Sequence, residues 1–214
     1  MAEPKVWFIT GASSGFGRSM TELLLNKGDK VIATLRHLDA LSDLSAQFPS
    51  QLLVIQLDVT NSAEVSAAFA RAKEAFGRID VVFNNAGQCV AGELESVSEE
   101  EARQMFEVNF WGAMHVSKEA VKFFREVNKP IGGRLLGLVG GPATAFYTPA
   151  YANPDLPGSK VRQFMASGNI DGDADKAVVA IEKLTHLDDV PMRLPLHRKV
   201  DVNKFESWSE DLYH

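Results

Sequence analysis

Cysteine, tyrosine and long apolar stretches are all scarce in this sequence of 214 residues. The single cysteine, Cys89, excludes an internal disulfide and a thiolate metal cluster, and it fits a reducing compartment. No apolar run approaches the ~20 residues that a membrane-spanning helix needs. The first residues also lack the basic stretch and long apolar run of a signal peptide. We therefore expect a cytoplasmic protein with no membrane segment.

Basic residues are fewer than acidic ones, 22 Lys and Arg against 28 Asp and Glu, which gives a formal net charge of -6. Nucleic acids and anionic membrane surfaces select basic patches, so neither is an expected partner. The five histidines show no metal-ligand spacing, and we expect no metal site. The content of 45% hydrophobic and 23% charged residues is that of an ordinary globular protein, and the length favours one domain.

Short β-branched or aromatic runs alternate with longer amphipathic stretches over the first two thirds of the chain. This alternation is typical of a parallel sheet with helices on both faces, and the handedness of crossovers favours a doubly wound α/β fold. Capping residues support the helix boundaries, because Asn61 and Ser98 each precede a glutamate by three positions. The predicted strands are 6–10, 30–35, 52–57, 80–83 and 134–139. The predicted helices are 15–26, 38–48, 61–76 and 98–127, with Gly28 and Gly77 as C-terminal caps.

The alternation stops after residue 139. Residues 140–158 contain four of the nine prolines and suit neither a strand nor a long helix. Helical patterns return at 159–166 and 173–187, and a short strand pattern lies at 192–196. The chain therefore divides into a regular part, 1–139, and a shorter irregular part, 140–214.

A glycine-rich segment follows the first predicted strand and opens the first helix, with the sequence Thr10-Gly11-Ala12-Ser13-Ser14-Gly15-Phe16-Gly17. Glycines let the backbone approach a ligand closely, and the free amides of a helix N-terminus attract a pyrophosphate. Ser13 and Ser14 can add hydroxyl donors. The glycine spacing of four then two differs from the usual dinucleotide fingerprint, so a plain strand-to-helix turn remains an alternative.

Polar residues are predicted at the same edge of the sheet, after the third and fourth strands. Asp58 ends the predicted third strand, and Asn84-Asn85-Ala86-Gly87 follows the fourth. The carboxyl ends of parallel strands line the ligand crevice of an open sheet. A solvated carboxylate and a local asparagine turn are the alternatives for these two positions.

One polar residue, Asn109, interrupts the apolar stripe of the predicted helix 98–127. A buried amide needs hydrogen-bond partners, so Asn109 either has a structural role or holds a water or side chain for chemistry. The stripe recurs at steps of three or four and comprises Ala102, Met105, Phe106, Phe110, Ala113, Val116, Ala120, Phe123 and Val127.

Four features together resemble the classical short-chain dehydrogenases/reductases, and the resemblance is continuous over residues 5–139. They are the glycine segment, the Leu57-Asp58-Val59 motif, the Asn-Asn-Ala-Gly motif and Asn109. The resemblance implies a single-domain Rossmann-type fold in which 1–139 is the dinucleotide-binding core and 140–214 a shortened C-terminal part. It also implies hydride transfer between a carbonyl and an alcohol on a small organic substrate. Asn109 is the implied catalytic residue. The candidate cofactor-binding residues are Gly11, Ser13, Ser14, Gly15, Phe16, Gly17, Arg36, Asp58, Val59, Asn85, Ala86, Gly87 and Thr144.

The segment after the second predicted strand indicates which nicotinamide cofactor binds. NAD sites place an acid there to bind the ribose hydroxyls, whereas a basic residue accommodates the 2′-phosphate of NADP. Residues 33–37 contain no acid and include Arg36, while Asp39 lies further along. NADP is therefore the expected cofactor, with NAD as the alternative.

The family's catalytic serine and Tyr-x-x-x-Lys motif are missing. The helical spacing of that motif lets the lysine lower the pKa of the tyrosine, which then serves as acid or base. None of the three tyrosines, Tyr147, Tyr151 and Tyr213, has a lysine four positions later. Tyr151 and Lys160 are separated by two prolines, so no helix pairs them.

The residues that do follow position 139 resemble later parts of the family's fold. Residues 141–146, which include Thr144, resemble the loop after the sixth strand, and 172–196 resembles the C-terminal helix and last strand. We infer an internal deletion near Val139 and Gly140 that removes the sixth strand and the catalytic helix. The expectation is an impaired NADP-dependent oxidoreductase with an altered homo-oligomer or reduced solubility. The alternatives are a catalytically silent dinucleotide-binding or interaction protein and a non-functional truncated product.

Overall fold

The centre of the molecule is a parallel sheet of five strands in the order β3-β2-β1-β4-β6. The computed structural model describes residues 3–92, 94–129, 132–137, 143–146 and 173–187. Strand order reverses between β1 and β4, and in open α/β sheets this switch point is where ligands bind. The described strands are β1 (Val6–Thr10), β2 (Lys30–Leu35), β3 (Leu52–Gln56), β4 (Val81–Asn84), β5 (Cys89–Gly92), β6 (Arg134–Gly137) and β7 (Ala143–Phe146).

Helices cover both faces of this sheet, and the predicted doubly wound α/β architecture is confirmed. In the described ranges, no helix combines the length and apolar character required to span a bilayer. The described helices are α1 (Gly15–Lys27), α2 (Ser42–Gln47), α3 (Ser62–Phe76), α4 (Glu99–Phe106), α5 (Ala113–Glu126) and α6 (Ala174–Leu184). A 3-10 turn, Leu38–Leu41, leads into α2, and a π-helical segment, Glu107–Gly112, joins α4 to α5.

Alternate residues of β1 divide the core into two layers. Trp7 and Ile9 are fully buried in the layer that contains α1 and α6. Phe8 is buried in the opposite layer with α3 and α5, where its ring stacks on Phe69 with the centroids 4.3 Å apart. Burying each such side chain contributes about 1.5–3 kcal/mol. Because both faces are covered, the strands are apolar without strict alternation, as the sequence predicted.

The predicted helix boundaries are confirmed where capping residues marked them. The Asn61 side chain accepts hydrogen bonds from the amides of Ala63 and Glu64. Ser98 and Glu101 form a reciprocal capping box at the start of α4. Gly28 and Gly77 end α1 and α3 with φ values of 88° and 75°, a conformation that favours glycine.

Several predicted boundaries were wrong. Strand β3 ends at Gln56, so Asp58 lies beyond the strand, and the fourth strand runs from Val81 to Asn84 rather than over 80–83. The predicted helix 38–48 is a 3-10 turn followed by α2. The predicted strand 134–139 is described only to Gly137, and the helix 159–166 and strand 192–196 lie outside the described residues.

A second, two-stranded sheet was not predicted. Strands β5 and β7 pair in parallel, with Val90 opposite Thr144. Thr144 was expected in a loop and instead stands on a strand. Four-residue strands such as these carry no resolvable periodicity, and their pairing depends on contacts between residues far apart in sequence.

Helix α6 is attached to α1 by a buried carboxylate, and the turn after α6 is attached to the residue before β1 by a lysine. Glu182, whose side chain is 4% exposed, accepts hydrogen bonds from Lys27 Nζ at 2.6 Å and from His186 Nε2 at 2.7 Å. Lys5 Nζ donates to the carbonyl and hydroxyl oxygens of Thr185, at 3.1 and 3.0 Å. These contacts fix α6 at the amino ends of the strands, opposite the edge where a ligand is expected.

Replacing Glu182 by glutamine is expected to lower the free energy of unfolding at neutral pH by about 1–3 kcal/mol. Burial raises the pKa of the Glu182 carboxyl, but the hydrogen bonds from Lys27 and His186 lower it by more, so the folded pKa is below its ordinary value. The stabilisation is therefore complete above the unfolded pKa and is lost as the pH falls through the lower folded pKa. Urea unfolding at a series of acidic pH values measures this loss.

The matched control for this experiment is Glu74→Gln, at an exposed position on α3. Its pH dependence should follow that of the unmodified protein, whereas the curve for Glu182→Gln should be flatter. Parallel curves for all three proteins would contradict a stabilising role for the Glu182 carboxylate.

Candidate cofactor site

The hydroxyl of Thr10, the last residue of β1, joins the two loops at the switch point. Thr10 is fully buried, and its Oγ1 accepts hydrogen bonds from the amides of Asn85 at 3.0 Å and Ala86 at 2.9 Å. The loop after β4 therefore begins bound to the end of β1. Sequence reasoning included Thr10 in the glycine segment without assigning it a role.

Asn85 holds the glycine segment from the other side. Its Nδ2 donates to the carbonyl of Thr10 at 2.9 Å and to that of Gly11 at 3.2 Å. A Cβ on Gly17 would lie 2.8 Å from the same Nδ2 and would collide with the Gly11 carbonyl oxygen. The two loops thus pack at backbone contact distance, and side chains at these glycines would separate them.

The start of α1 has the features of an anion site. Residues 13–16 are exposed, and Gly11 and Gly15 have φ values of 68° and 53°. The Ser14 side chain forms no capping hydrogen bond, and the first turn of α1 contains no acidic residue. The partial positive charge of the helix N-terminus is therefore offset by neither a side-chain cap from Ser14 nor an acidic residue in the first turn, as at helix ends that bind anions.

Asn84 connects β4 to the helix beneath the site. It is 6% exposed, and its Nδ2 donates to the Ala113 carbonyl at 2.8 Å and to Ser117 Oγ at 3.2 Å. The first asparagine of the predicted pair is thus a bridge between a strand and α5. The doubled asparagine was the available signal, but the sequence did not separate this structural residue from Asn85.

Asn109 was expected to be buried in an apolar stripe, and this expectation was wrong. Asn109 is exposed, its Oδ1 accepts from the Gln88 amide at 2.8 Å, and its Nδ2 donates to the Gln88 carbonyl at 2.6 Å. Phe106 and Phe110 of the same stripe are also exposed, by 62% and 57%. The π-helical segment breaks the 3.6-residue period there, so the side chain just before it and most of those within it are exposed.

Asp58 and Val59 lie between β3 and α3, against α5. Asp58 Oδ1 accepts from the amide and hydroxyl of Thr60, at 2.9 and 2.8 Å, which closes a local turn. The Val59 carbonyl lies 3.2 Å from His115 Nδ1, and the Val59 side chain fills the space where Gly112 lacks a Cβ. These contacts place the Asp58 loop beside the π-helical segment that carries Asn109.

Arg36 is exposed directly after β2, at the same edge of the sheet. Gln56 Nε2 donates to its carbonyl at 3.2 Å, and the Ala12 amide donates to the Thr34 carbonyl at 3.0 Å. The loops after β1 and β2 are therefore held side by side. Ala86 packs against one core layer, and Gly87 is half-buried in the loop after β4.

The family comparison agrees with this geometry. Residues 5–139, well over half of the chain, match the short chain dehydrogenase family. The chain belongs to this family. The match covers the loops after β1, β3 and β4 together with the π-helical segment, and Thr144 lies outside it.

Among curated proteins, the chain is similar to several oxidoreductases. It is 39% identical to oxidoreductase calM of Penicillium decumbens over 151 residues, which are 66% of this chain and 49% of that protein. It is 42% identical over 128 residues to an uncharacterized oxidoreductase of Schizosaccharomyces pombe, covering 60% of this chain and 42% of the other. The chain spans about half the length of the curated relatives it matches.

Solved structures of short-chain dehydrogenases share the fold. A short-chain dehydrogenase from Streptomyces avermitilis superimposes with a TM-score of 0.76 at 29% identity, covering 100% of this chain and 96% of the other. A 3-ketoacyl-(acyl-carrier-protein) reductase from Brucella melitensis, complexed with NADH, gives a TM-score of 0.59 at 30% identity, covering 63% of this chain and 57% of the other.

Proposed function

We propose that this chain binds NADP at the carboxyl edge of its sheet, as an NADP(H)-dependent oxidoreductase by family. The observation that carries the proposal is the cradle formed by Gly11, Gly17 and Asn85 beside the uncapped start of α1. An acidic residue in this cradle would repel a pyrophosphate, and none is present between residues 10 and 17, where Gly11, Gly15 and Gly17 also carry no side chain. The residues present therefore fit the cofactor.

When bound, the cofactor supplies the hydride, and the protein supplies orientation and a proton. We assign Gly11, Ser13, Ser14, Gly15, Phe16 and Gly17 to the pyrophosphate and its ribose. The half-buried Asp58 carboxylate and the adjacent Val59 would face the adenine. One oxygen of Asp58 is used in its local turn, and the other makes no hydrogen bond within the described residues. Asn85, Ala86 and Gly87 would border the adenosine, and Thr144 the nicotinamide end.

NADP is favoured over NAD by the charge at the end of β2. Arg36 is exposed there, and within the described part of the chain it takes part in no ion pair. Its guanidinium is therefore available to bind a 2′-phosphate, which NAD lacks. Complexes of relatives with NADH and with NAD support a nicotinamide dinucleotide in general.

The reaction we assign is carbonyl reduction or alcohol oxidation on a small organic substrate. Two relatives named for reduction of ketone groups support this class: the ketoacyl reductase above and a 3-ketodihydrosphingosine reductase from Bacteroides thetaiotaomicron, 31% identical over 152 residues. Asn109 holds the Gln88 backbone and so fixes the loop between β4 and β5 beside the cofactor cradle.

The chain has no Tyr-x-x-x-Lys to move the proton, because its tyrosines lack a lysine four positions later. We therefore propose that turnover by this chain is absent or far below that of a complete relative. A second candidate function follows from the same observation, that of a catalytically silent dinucleotide-binding or interaction protein. An internal deletion near Val139 and Gly140 accounts for the missing motif.

The test measures cofactor binding and turnover on the same preparation. NADPH at ~100 times its dissociation constant should stabilise the protein by about 2.7 kcal/mol, seen as a raised melting temperature. NADH at the same concentration should raise the melting temperature less. In Arg36→Gln, the two dinucleotides should raise the melting temperature equally. Tighter binding of NADH than of NADPH, or binding of neither, would overturn the proposed cofactor.

Turnover is followed as the loss of NADPH absorbance with a panel of aldehydes and ketones. We expect no loss above the rate without protein. An ordinary enzymatic rate that Asn109→Ala abolishes would show that the chain is a competent reductase and would reject the silent alternative.

A further inference from the structure

Arg18, in the first turn of α1, is bound to groups on two different elements. Its Nε donates to Glu22 on the same helix at 2.8 Å. Its two terminal nitrogens donate to the Ala40 carbonyl at 2.7 Å and to the Asp43 carboxylate at 2.5 Å. Every nitrogen of the guanidinium is therefore used inside the protein. No role for Arg18 follows from the sequence.

The segment that Arg18 holds, residues 36–43, is the one that carries Arg36. Its first residue is fixed from β3, where Gln56 Nε2 donates to the Arg36 carbonyl at 3.2 Å. Its far part is fixed from α1, through Ala40 and Asp43. The intervening 3-10 turn has the hydrogen bond from the Ala40 amide to the His37 carbonyl at 3.2 Å. Arg36 thus stands on a short loop that is anchored at both ends.

Arg18 also pairs with one of the two acids in this loop, Asp39 and Asp43. The hydrogen bond from Arg18 lowers the pKa of the Asp43 carboxyl, and hydrogen bonds to Glu22 and Asp43 raise the pKa of the guanidinium. An exposed pair of this kind contributes little to global stability. The pair can nevertheless fix the position of the 36–43 loop, because a planar guanidinium that bonds to three acceptors fixes their relative orientation.

We propose that Arg18 is a positioning residue for dinucleotide selection, which holds the 36–43 loop so that Arg36 meets the 2′-phosphate of NADP. The inference rests on the proposed function, because it assigns to Arg36 the recognition of that phosphate. We assign Arg18 no contact with the cofactor, because Nε, Nη1 and Nη2 each donate to a group of the protein. In this proposal, Arg36 binds the 2′-phosphate and Arg18 positions the loop that carries Arg36.

The experiment titrates NADPH and NADH into the unmodified protein, Arg18→Gln, Arg36→Gln and the charge-matched control Arg71→Gln, whose residue is exposed on α3. Arg18→Gln should weaken NADPH binding by about fivefold and NADH binding by less than about twofold. Arg71→Gln should change neither. Equal weakening of both dinucleotides by Arg18→Gln would indicate a merely structural residue and would overturn the inference.

Hydrogen exchange without cofactor provides the second readout. The Ala40 amide and its neighbours in 36–43 should exchange faster in Arg18→Gln and Arg18→Lys than in the unmodified protein, and should be unchanged in Arg36→Gln. Arg18→Lys keeps the charge, but its single ammonium nitrogen cannot reproduce the planar arrangement in which three separate nitrogens contact Glu22, Ala40 and Asp43. Unchanged exchange in both Arg18 variants would overturn the positioning role.

The double variant Arg18→Gln with Asp43→Asn distinguishes two roles of Arg18: positioning the 36–43 loop and neutralising the Asp43 carboxylate. It should bind NADPH as weakly as Arg18→Gln alone, and full recovery would show that Arg18 acts only by neutralising Asp43. Failure of the proposed function has a different signature, in which the unmodified protein and Arg36→Gln bind the two dinucleotides alike. If instead Arg36→Gln loses the preference and Arg18→Gln keeps it, the inference fails and the proposed function stands.

Discussion

Replacing Gly17 by alanine is expected to abolish binding of NADPH and to lower the free energy of unfolding by about 1–3 kcal/mol. The new Cβ would collide with the Gly11 carbonyl oxygen and lie 2.8 Å from Asn85 Nδ2. The neighbour that must move is backbone, so residues 10 and 11 of the glycine segment would separate from the start of α1. Denaturant unfolding and a fluorescence titration with NADPH measure the two effects.

Gly137→Ala is the control for this substitution. Gly137 ends β6, and a Cβ at this position would meet no atom of the described residues within 4 Å. This variant should unfold at nearly the same denaturant concentration as the unmodified protein and bind NADPH normally. If Gly17→Ala also bound NADPH normally, the close approach of the two loops would not be required for the cofactor.

Replacing Thr10 by valine is expected to destabilise the protein by about 2–4 kcal/mol and to weaken NADPH binding. Valine fills nearly the same volume, but it leaves the amides of Asn85 and Ala86 without the hydroxyl that accepts their hydrogen bonds. A buried donor left unpaired costs about 1–3 kcal/mol. Because Thr10 Oγ1 holds the loop after β4, its loss would also displace Asn85 from the glycine segment.

Two variants make this prediction specific. Thr10→Ser keeps the hydroxyl and should retain most of the stability and NADPH affinity. Thr34→Val removes a buried hydroxyl that, among the described residues, donates to the Ile9 carbonyl alone, at 3.0 Å, and should cost about 1 kcal/mol. Equal losses for the valine variants at positions 10 and 34 would contradict a special role for Thr10 in the site.

Much of the fold was predictable because it depends on local patterns. Apolar runs marked the five strands of the large sheet, and side-chain capping marked the starts of α3 and α4. Glycine marked the ends of α1 and α3, where φ is positive. The pairing of β5 with β7 escaped prediction because both strands are short and neither carries a period.

The candidate site was predictable in its residue types but not in its contacts. Glycine at positions 11 and 17 indicated close backbone approach, and the structure shows that the approaching groups belong to Asn85 and Ala86. Asn109 was placed in the core by a helical period that the π turn interrupts. The exposure of Asn109 and its two hydrogen bonds to the Gln88 backbone depend on the π turn. No local preference of the sequence predicts that turn.

By itself, the sequence determined the alternation of strands and helices, the glycine segment after β1, the basic residue after β2 and the lack of a Tyr-x-x-x-Lys motif. These are properties of single segments, so they can be recognised without neighbours. Only the tertiary structure decided that Thr10 and Asn85 join two loops and that Arg18 is occupied by Ala40 and Asp43. Hydrogen bonds between distant segments form only when the fold brings their donors and acceptors together, and no spacing along the chain encodes which partner each will have.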